Sequence, residues 1–207
     1  MCVFGPIQSV PVTPELRHLR YFVAVAEHRS FTCAARELHI AQQSLSQQIT
    51  VLERALGMRL FDRDARGARL TDVGGIFLTE AREVLARADT ALTTARRAAR
   101  GEVGRLTVAF LDCLAPSLAR PVVDAFQTRF PDVDLTTVDV VDGRLLVGVQ
   151  EGRYDVAFTR PPLRDGLLGR TVPQARARPG NTIVVWQKRA DKPALRSFLA
   201  VVTATLG

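Results

Sequence analysis

Gln42, Gln43, Ser44, Ser46 and Gln47 crowd into one short stretch, and their uncharged side chains both donate and accept hydrogen bonds. A glutamine amide can pair with the edge of an adenine in the major groove, and a serine hydroxyl reaches a base or a phosphate. Their placement follows from the residues between and after them. Leu45, Ile49, Leu52 and Leu56 recur at i, i+4, i+7 and i+11, one face of a helix that starts near Gln42. Gly57 ends it as a glycine at the first position past a helix does. Gln43, Gln47, Thr50 and Arg54 then point away from the apolar stripe, with Ser44 and Ser46 on its flanks. A helix that reads DNA has this composition. So does the solvated face of any half-buried helix, and residue types alone leave both readings open.

The elements before and after must hold that helix. Ser30 is a good N-cap, and Phe31, Ala34, Ala35 and Leu38 follow at helical spacing. His39-Ile40-Ala41 turns the chain, so residues 30–57 read as two helices joined by a tight turn. Thr32 starts the first of these and is placed to touch a phosphate. A preceding helix is expected from about Pro14 to His28, capped by Thr13. Its face of Leu16, Leu19, Phe22, Val23 and Ala26 should pack on Ala34, Leu38 and Leu45. Residues 1–13 read as a loose tail, with the natural start expected nearer the first helix. After Leu60 and a buried Phe61, a hairpin turning at Arg66-Gly67 forms a wing. Arg63, Arg66 and Arg69 could reach phosphates or the minor groove from it. The other possibility is surface pairing with Asp62 and Asp64. For Arg66, at the tip, DNA contact is the expectation.

Residues 72–100 read as one long helix capped by Thr71. Phe77, Ala81, Val84, Leu85, Ala88, Leu92 and Ala95 make a seam near heptad spacing. Such a helix is not expected to bury that stripe within its own small head, so pairing with a second copy is the economical solution. Packing on the chain's own second domain is the alternative. Gly101 to Gly104 reads as a hinge. The texture then changes to a strand at Leu106–Phe110 and a helix at Pro116–Phe130 with Leu118, Val122, Ala125 and Phe126 inward. A strand at Val133–Val140, a helix at Leu145–Glu151 and a strand at Tyr154–Thr159 follow. This βαβαβ series implies a parallel sheet. Residues 163–180 are rich in Arg, Pro and Gly and lack periodicity. A strand at Asn181–Gln187 and a helix at Lys192–Leu206 close the chain.

The chain has 207 residues, is 47% hydrophobic and 24% charged, and carries a formal net charge of +7. It is therefore expected to be globular, and its basic balance suits an anionic partner. The sharpest excess lies at 166–207, with seven Lys/Arg against one Asp/Glu. Cys2, Cys33 and Cys113 are isolated thiols, which argues against a disulfide framework or a zinc site and fits a cytoplasmic protein. Cys33 reads as a small core residue. His18, His28 and His39 have no mutual ligand spacing and read as surface or packing residues. No metal site, catalytic residue or cofactor is expected: the cysteines and histidines lack ligand spacing, and no nucleophile–base pair, phosphate loop or metal spacing appears in residues 105–207. No run of 18 apolar residues and no secretory leader pattern occurs, so no membrane span is expected.

The head resembles the winged helix-turn-helix of the LysR-type transcriptional regulators. The matching residues are Phe31, Ala34-Ala35, Leu38, Ala41-Gln42, Leu45-Ser46-Gln47-Gln48-Ile49, Leu52-Glu53, Leu56-Gly57, Leu60-Phe61, Arg63, Leu70-Thr71 and Gly74. Gln43 departs where the family often has Pro, and Gln47 where it often has Arg. Both bear on sequence preference rather than on fold. Residues 105–162 resemble the first lobe of the family's effector-binding domain, which is similar to periplasmic binding proteins. Gly104-Arg105-Leu106, Phe126 with Phe130-Pro131-Asp132-Val133, and Gly152 to Ala157 carry that likeness. The fold expected is thus an all-α winged helix-turn-helix head (14–71), a linker and dimerisation helix (72–100), and a partial α/β domain resuming at 181–207.

The resemblance also implies a second lobe, which residues 163–180 are expected to replace as an irregular joint. The family's inducer would bind between two lobes. By that resemblance Asp112, Cys113 and Ser117 would belong to the one wall that is expected to survive, and weak binding or none is expected. The partners implied are double-stranded DNA and a second copy, with tetramers left open. The rival readings are a dimerisation partner that poisons intact relatives, a non-functional truncated product, and a small-molecule binder or enzyme on the α/β half.

Overall fold

A computed structural model describes residues 13–64, 67–111, 120–141, 144–163, 165–171 and 182–206. The chain divides into two compact units, Met1–Ala91 and Leu92–Gly207. The first opens with α1 (Leu16–His28), α2 (Phe31–Glu37) and α3 (Gln42–Leu56). Ser30 caps α2 through its Oγ, which accepts from Cys33 N–H at 3.3 Å. His39 takes a left-handed conformation (φ 53°) in the turn, and Gly57 ends α3 at φ 69°. Helix α1 starts two residues later than expected. Its cap is Glu15, not Thr13, because the backbone N–H of Glu15 is taken by His18 Nδ1 at 2.9 Å.

Phe22, Val25, Ala34, Leu45, Ile49 and Leu52 form the centre of the head's core. The wing, β1 (Phe61–Asp64) and β2 (Gly67–Leu70), is an antiparallel pair in which Phe61 stands opposite Leu70 and Asp64 opposite Gly67. Phe61 joins the core beside Phe22, ring centroids 5.3 Å apart. Cys33 is exposed rather than packed, since α2 turns Ala34 and Ala35 inward instead.

Helix α4 runs from Asp72 to Ala99. Thr71 caps it: its Oγ1 accepts from Gly74 N–H at 2.9 Å and donates to Arg59 O at 2.9 Å. Its apolar stripe divides into two parts, contrary to the expectation of one continuous exposed seam. Phe77 packs against Phe22 at 5.1 Å and Ala81 is buried, so both belong to the head's own core. Val84, Leu92 and Ala95 remain exposed, and Leu85 and Ala88 are half-buried.

The second unit holds β3 (Gly104–Leu111), α5 (Arg120–Arg129), β4 (Val133–Val140), α6 (Leu145–Gln150), β5 (Val156–Thr159), β6 (Leu167–Thr171), β7 (Ile183–Gln187) and α7 (Pro193–Leu206). The sheet order is β4-β3-β5-β7-β6. β3 pairs in parallel with β4 and β5, as the βαβαβ pattern requires, and β7 inserts antiparallel between β5 and β6. One face carries Leu106, Val108, Phe110, Phe158 and Val184 under α5 and α7. The other carries Ala109, Ala157 and Val185 with Leu145 and Val149 of α6.

Two expectations are corrected here. The joint at 163–180 is not irregular throughout, because 167–171 form the edge strand β6, supported by β7. Residues 101–104 are not a loose hinge. Gly101 is buried at φ 70°, and a Cβ there would lie 2.4 Å from Pro193 O. Ser197 Oγ donates to Arg100 O at 3.2 Å, and Arg97 pairs with Asp132 at 2.5 Å.

Candidate nucleic-acid interface

Helix α3 turns Leu45, Ile49 and Leu52 fully into the core, so its opposite face must meet solvent or a partner. Gln42, Gln43, Ser44 and Gln47 are exposed on it and Ser46 is half-buried. Thr32, in the first turn of α2, is exposed as well. Thr50 does not offer its hydroxyl proton outward, for Oγ1 donates back to Ser46 O at 2.9 Å. Beyond Thr50, Arg54 lies on a shallow depression with Glu53, Gly57, Met58, Arg59 and Phe61. The expected set on α2 and α3 is therefore brought onto an accessible surface over a sealed core. Arg63 has its backbone in β1 opposite Ala68, while its side chain, and Arg66 altogether, lie outside the described residues.

Further links from Glu53, Ala68 and His18 hold this surface in place. Glu53 lies on α3, and its Oε1 accepts from the backbone N–H groups of Leu60 (2.8 Å) and Phe61 (3.2 Å). One carboxylate thus satisfies two donors at the entry to the wing and fixes the wing against α3. The wing is held on its far side by Ala68 N–H, which donates to Arg29 O at 3.0 Å. His18 is buried, 3% exposed, and its Nε2 lies 2.9 Å from Gln48 Oε1 of α3. Spacing alone marks none of these links, because each joins residues distant in sequence.

Salt bridges from Arg82 to Glu27 (2.7 Å) and from Arg20 to Asp89 (3.9 Å) tie α4 to α1 on an exposed surface. Asp112, Cys113 and Ser117 lie outside the described residues. Among the described residues no cluster of metal-ligating side chains occurs, and no helix is long and apolar enough to cross a membrane.

Known proteins resemble this chain in sequence and fold. Residues 16–75 match the bacterial regulatory helix-turn-helix protein family, lysR family, and residues 99–171 match the LysR substrate binding domain. The HTH-type transcriptional regulator AlsR of Bacillus subtilis is 37% identical over 154 residues, 74% of this chain and 51% of that protein. TfdT of Cupriavidus pinatubonensis is 36% identical over 154 residues, covering 74% of this chain and 68% of that protein. The chain spans about half the length of most curated relatives it matches. The crystal structure of CbnR, a LysR family transcriptional regulator, superposes with a TM-score of 0.82 at 22% identity, covering 91% of this chain and 100% of that one. CbnR complexed with its target DNA gives 0.76 at the same identity. The fold is thus that of CbnR, and the sequence likeness to TfdT extends over two thirds of that regulator. The chain belongs to the LysR family of bacterial helix-turn-helix regulatory proteins.

Proposed function

We propose that this chain is a sequence-specific DNA-binding transcription regulator that acts as a homodimer. The observation that carries the reading is the exposed polar face of α3, with Gln42, Gln43, Ser44 and Gln47 raised over a closed core. Gln43 and Gln47 read base edges, the serines and Thr32 position the phosphate backbone, and Arg63 and Arg66 serve it from the wing. Regulators similar to this chain support that reading, and one of them, CbnR, is known in complex with its target DNA. The exposed Val84, Leu92 and Ala95 of α4, with Leu85 and Ala88 beside them, join two copies, so that two heads meet two half-sites.

The sensing half is reduced. The described strands between residues 104 and 187 form one five-stranded sheet, with β7 between β5 and the edge strand β6, and we read it as one lobe, so an inducer would meet a single wall. We expect weak inducer binding or none, residence in the cytoplasm, and no enzymatic activity. The test is a footprint of the purified full chain on the DNA upstream of its own gene, at two salt concentrations. A protected palindromic site that persists at the higher salt supports the reading. Smearing binding that vanishes with salt would reduce it to non-specific charge attraction. A second reading rests on the same exposed α4 residues: pairing with intact relatives and disabling them. Heterodimers that no longer bind the relatives' operators would favour it.

A further inference from the structure

Gln48 lies on the flank of α3 between the core stripe and Ser44, and its amide faces α1. His18 reaches it from the third position of α1. The protonation of this pair follows from its partners. The backbone N–H of Glu15 points at His18 Nδ1 at 2.9 Å, so Nδ1 must be the accepting, unprotonated nitrogen. A neutral imidazole then carries its proton on Nε2, which donates to Gln48 Oε1 at 2.9 Å. One buried ring thus completes the capping box of α1 and grips the middle of α3. The core contacts of α3 are made by Leu45, Ile49 and Leu52, apolar groups that tolerate a small rotation about the helix axis. The directional bond to Gln48 does not tolerate it.

We infer that His18 is a positioning residue for sequence recognition: through Gln48 it sets the roll of α3, and with it the aim of Gln43 and Gln47. This rests on the DNA-binding reading above. Base readout demands an aim held to fractions of an ångström, whereas phosphate attraction does not. Loosening the link should therefore cost specific binding and spare non-specific binding.

The test uses the full chain and a duplex enriched by the unmutated protein from a random-sequence pool, beside a scrambled duplex of equal length. Affinities for both are measured for H18L, Q48L, the double variant and H18Q, at a temperature where circular dichroism shows each fully folded. H18L and Q48L should each lose on the order of tenfold for the enriched duplex, the worth of one buried hydrogen bond. The double variant should lose no more than about the worse single one, and the scrambled duplex should bind as before. H18Q should restore binding, since its amide oxygen can take the Glu15 N–H while its NH2 donates to Gln48. Unchanged affinity in Q48L, equal losses on both duplexes, additive losses, or H18Q behaving as H18L would each overturn the inference. If H18L does not fold, Q48L and H18Q decide it. Should the unmutated chain enrich no sequence at all, the DNA-binding reading itself fails, and the inference with it.

Discussion

Gln43 and Gln47 are exposed side chains that no described residue engages, so their replacement should leave the fold intact. With both changed to Ala, affinity for the preferred duplex should fall by about 1–3 kcal/mol for each base contact removed, and preference should relax at defined positions. A binding assay across single-base operator variants would show it; a uniform loss at all positions would indicate phosphate contact instead. Glu53 behaves differently. Its carboxylate is the partner of two backbone donors beside residues that are 0% and 2% exposed. E53A should therefore lower head stability by roughly 2 kcal/mol or more, through unpaired N–H groups, while E53Q keeps an acceptor and costs less. Thermal denaturation of the two variants would separate them. The exposure of Gln43 and Gln47 was legible because a polar face opposite a leucine stripe is a sequence pattern. The roles of Glu53 and His18 were not, since a carboxylate gripping a strand seven residues on, or a histidine reaching Gln48 thirty residues away, leaves no periodicity.

Elements were legible where a periodic stripe met a clear stop, as in α2, α3 and the wing. They were not where tertiary contacts decide. The stripe of α4 was readable, yet only the fold shows that its first turns belong to the head and the rest faces outward. Strand β6 lacks alternation and exists because β7 pairs with it. The division of α4 makes a sharp expectation. V84E/L92E places charge only on its exposed part, so the chain should remain folded but sediment as a monomer. Its affinity for a two-half-site duplex should fall far more than for a single half-site; an unchanged dimer in sedimentation would relocate the interface. The start of α4 supplies an opposed pair. A Cβ on Gly74 would lie 2.1 Å from Leu60 O, whereas one on Gly75 meets nothing within 4 Å. G75A should stabilise the head by about 0.5–1 kcal/mol, as alanine does in a helix. G74A should destabilise it despite the same gain in propensity, because the first turn of α4 must move off the wing. Paired melting curves with shifts of the same sign would contradict this.

For the molecule as a whole, the buried residues fall into clusters that share no member between the two units. One holds the head together around Phe22, Leu45 and Phe61, and two cover the faces of the five-stranded sheet. The sheet is covered on both faces. β7 supplies Val184 and Val185 to opposite faces, and α7 places Phe198 against Phe126 and Phe158, with ring centroids 5.2 and 6.3 Å apart. The lobe thus has two covered faces, as the parallel strands of this mixed sheet require. Ion pairing at the end of α4 adds a pH dependence to this unit. The Arg100 guanidinium holds the Glu102 carboxyl below its ordinary range, so that contribution is present above the usual carboxylate pKa and is lost as pH falls through the lowered value. Arg100 is exposed and Glu102 only half-buried, so it should be small. Separate cores imply separate melting. Calorimetry of the full chain near neutral pH should resolve two transitions, each cooperative within its own unit. A preferred duplex present at 100 times its dissociation constant should stabilise the head by about 2.7 kcal/mol and leave the other transition where it was. Lowering the pH toward the acid range should remove only the small Glu102 contribution from the lobe's transition, a shift smaller than that of DNA on the head. A single transition raised as one by DNA would mean that the two units are energetically one body, and that occupancy of the head is coupled to the lobe.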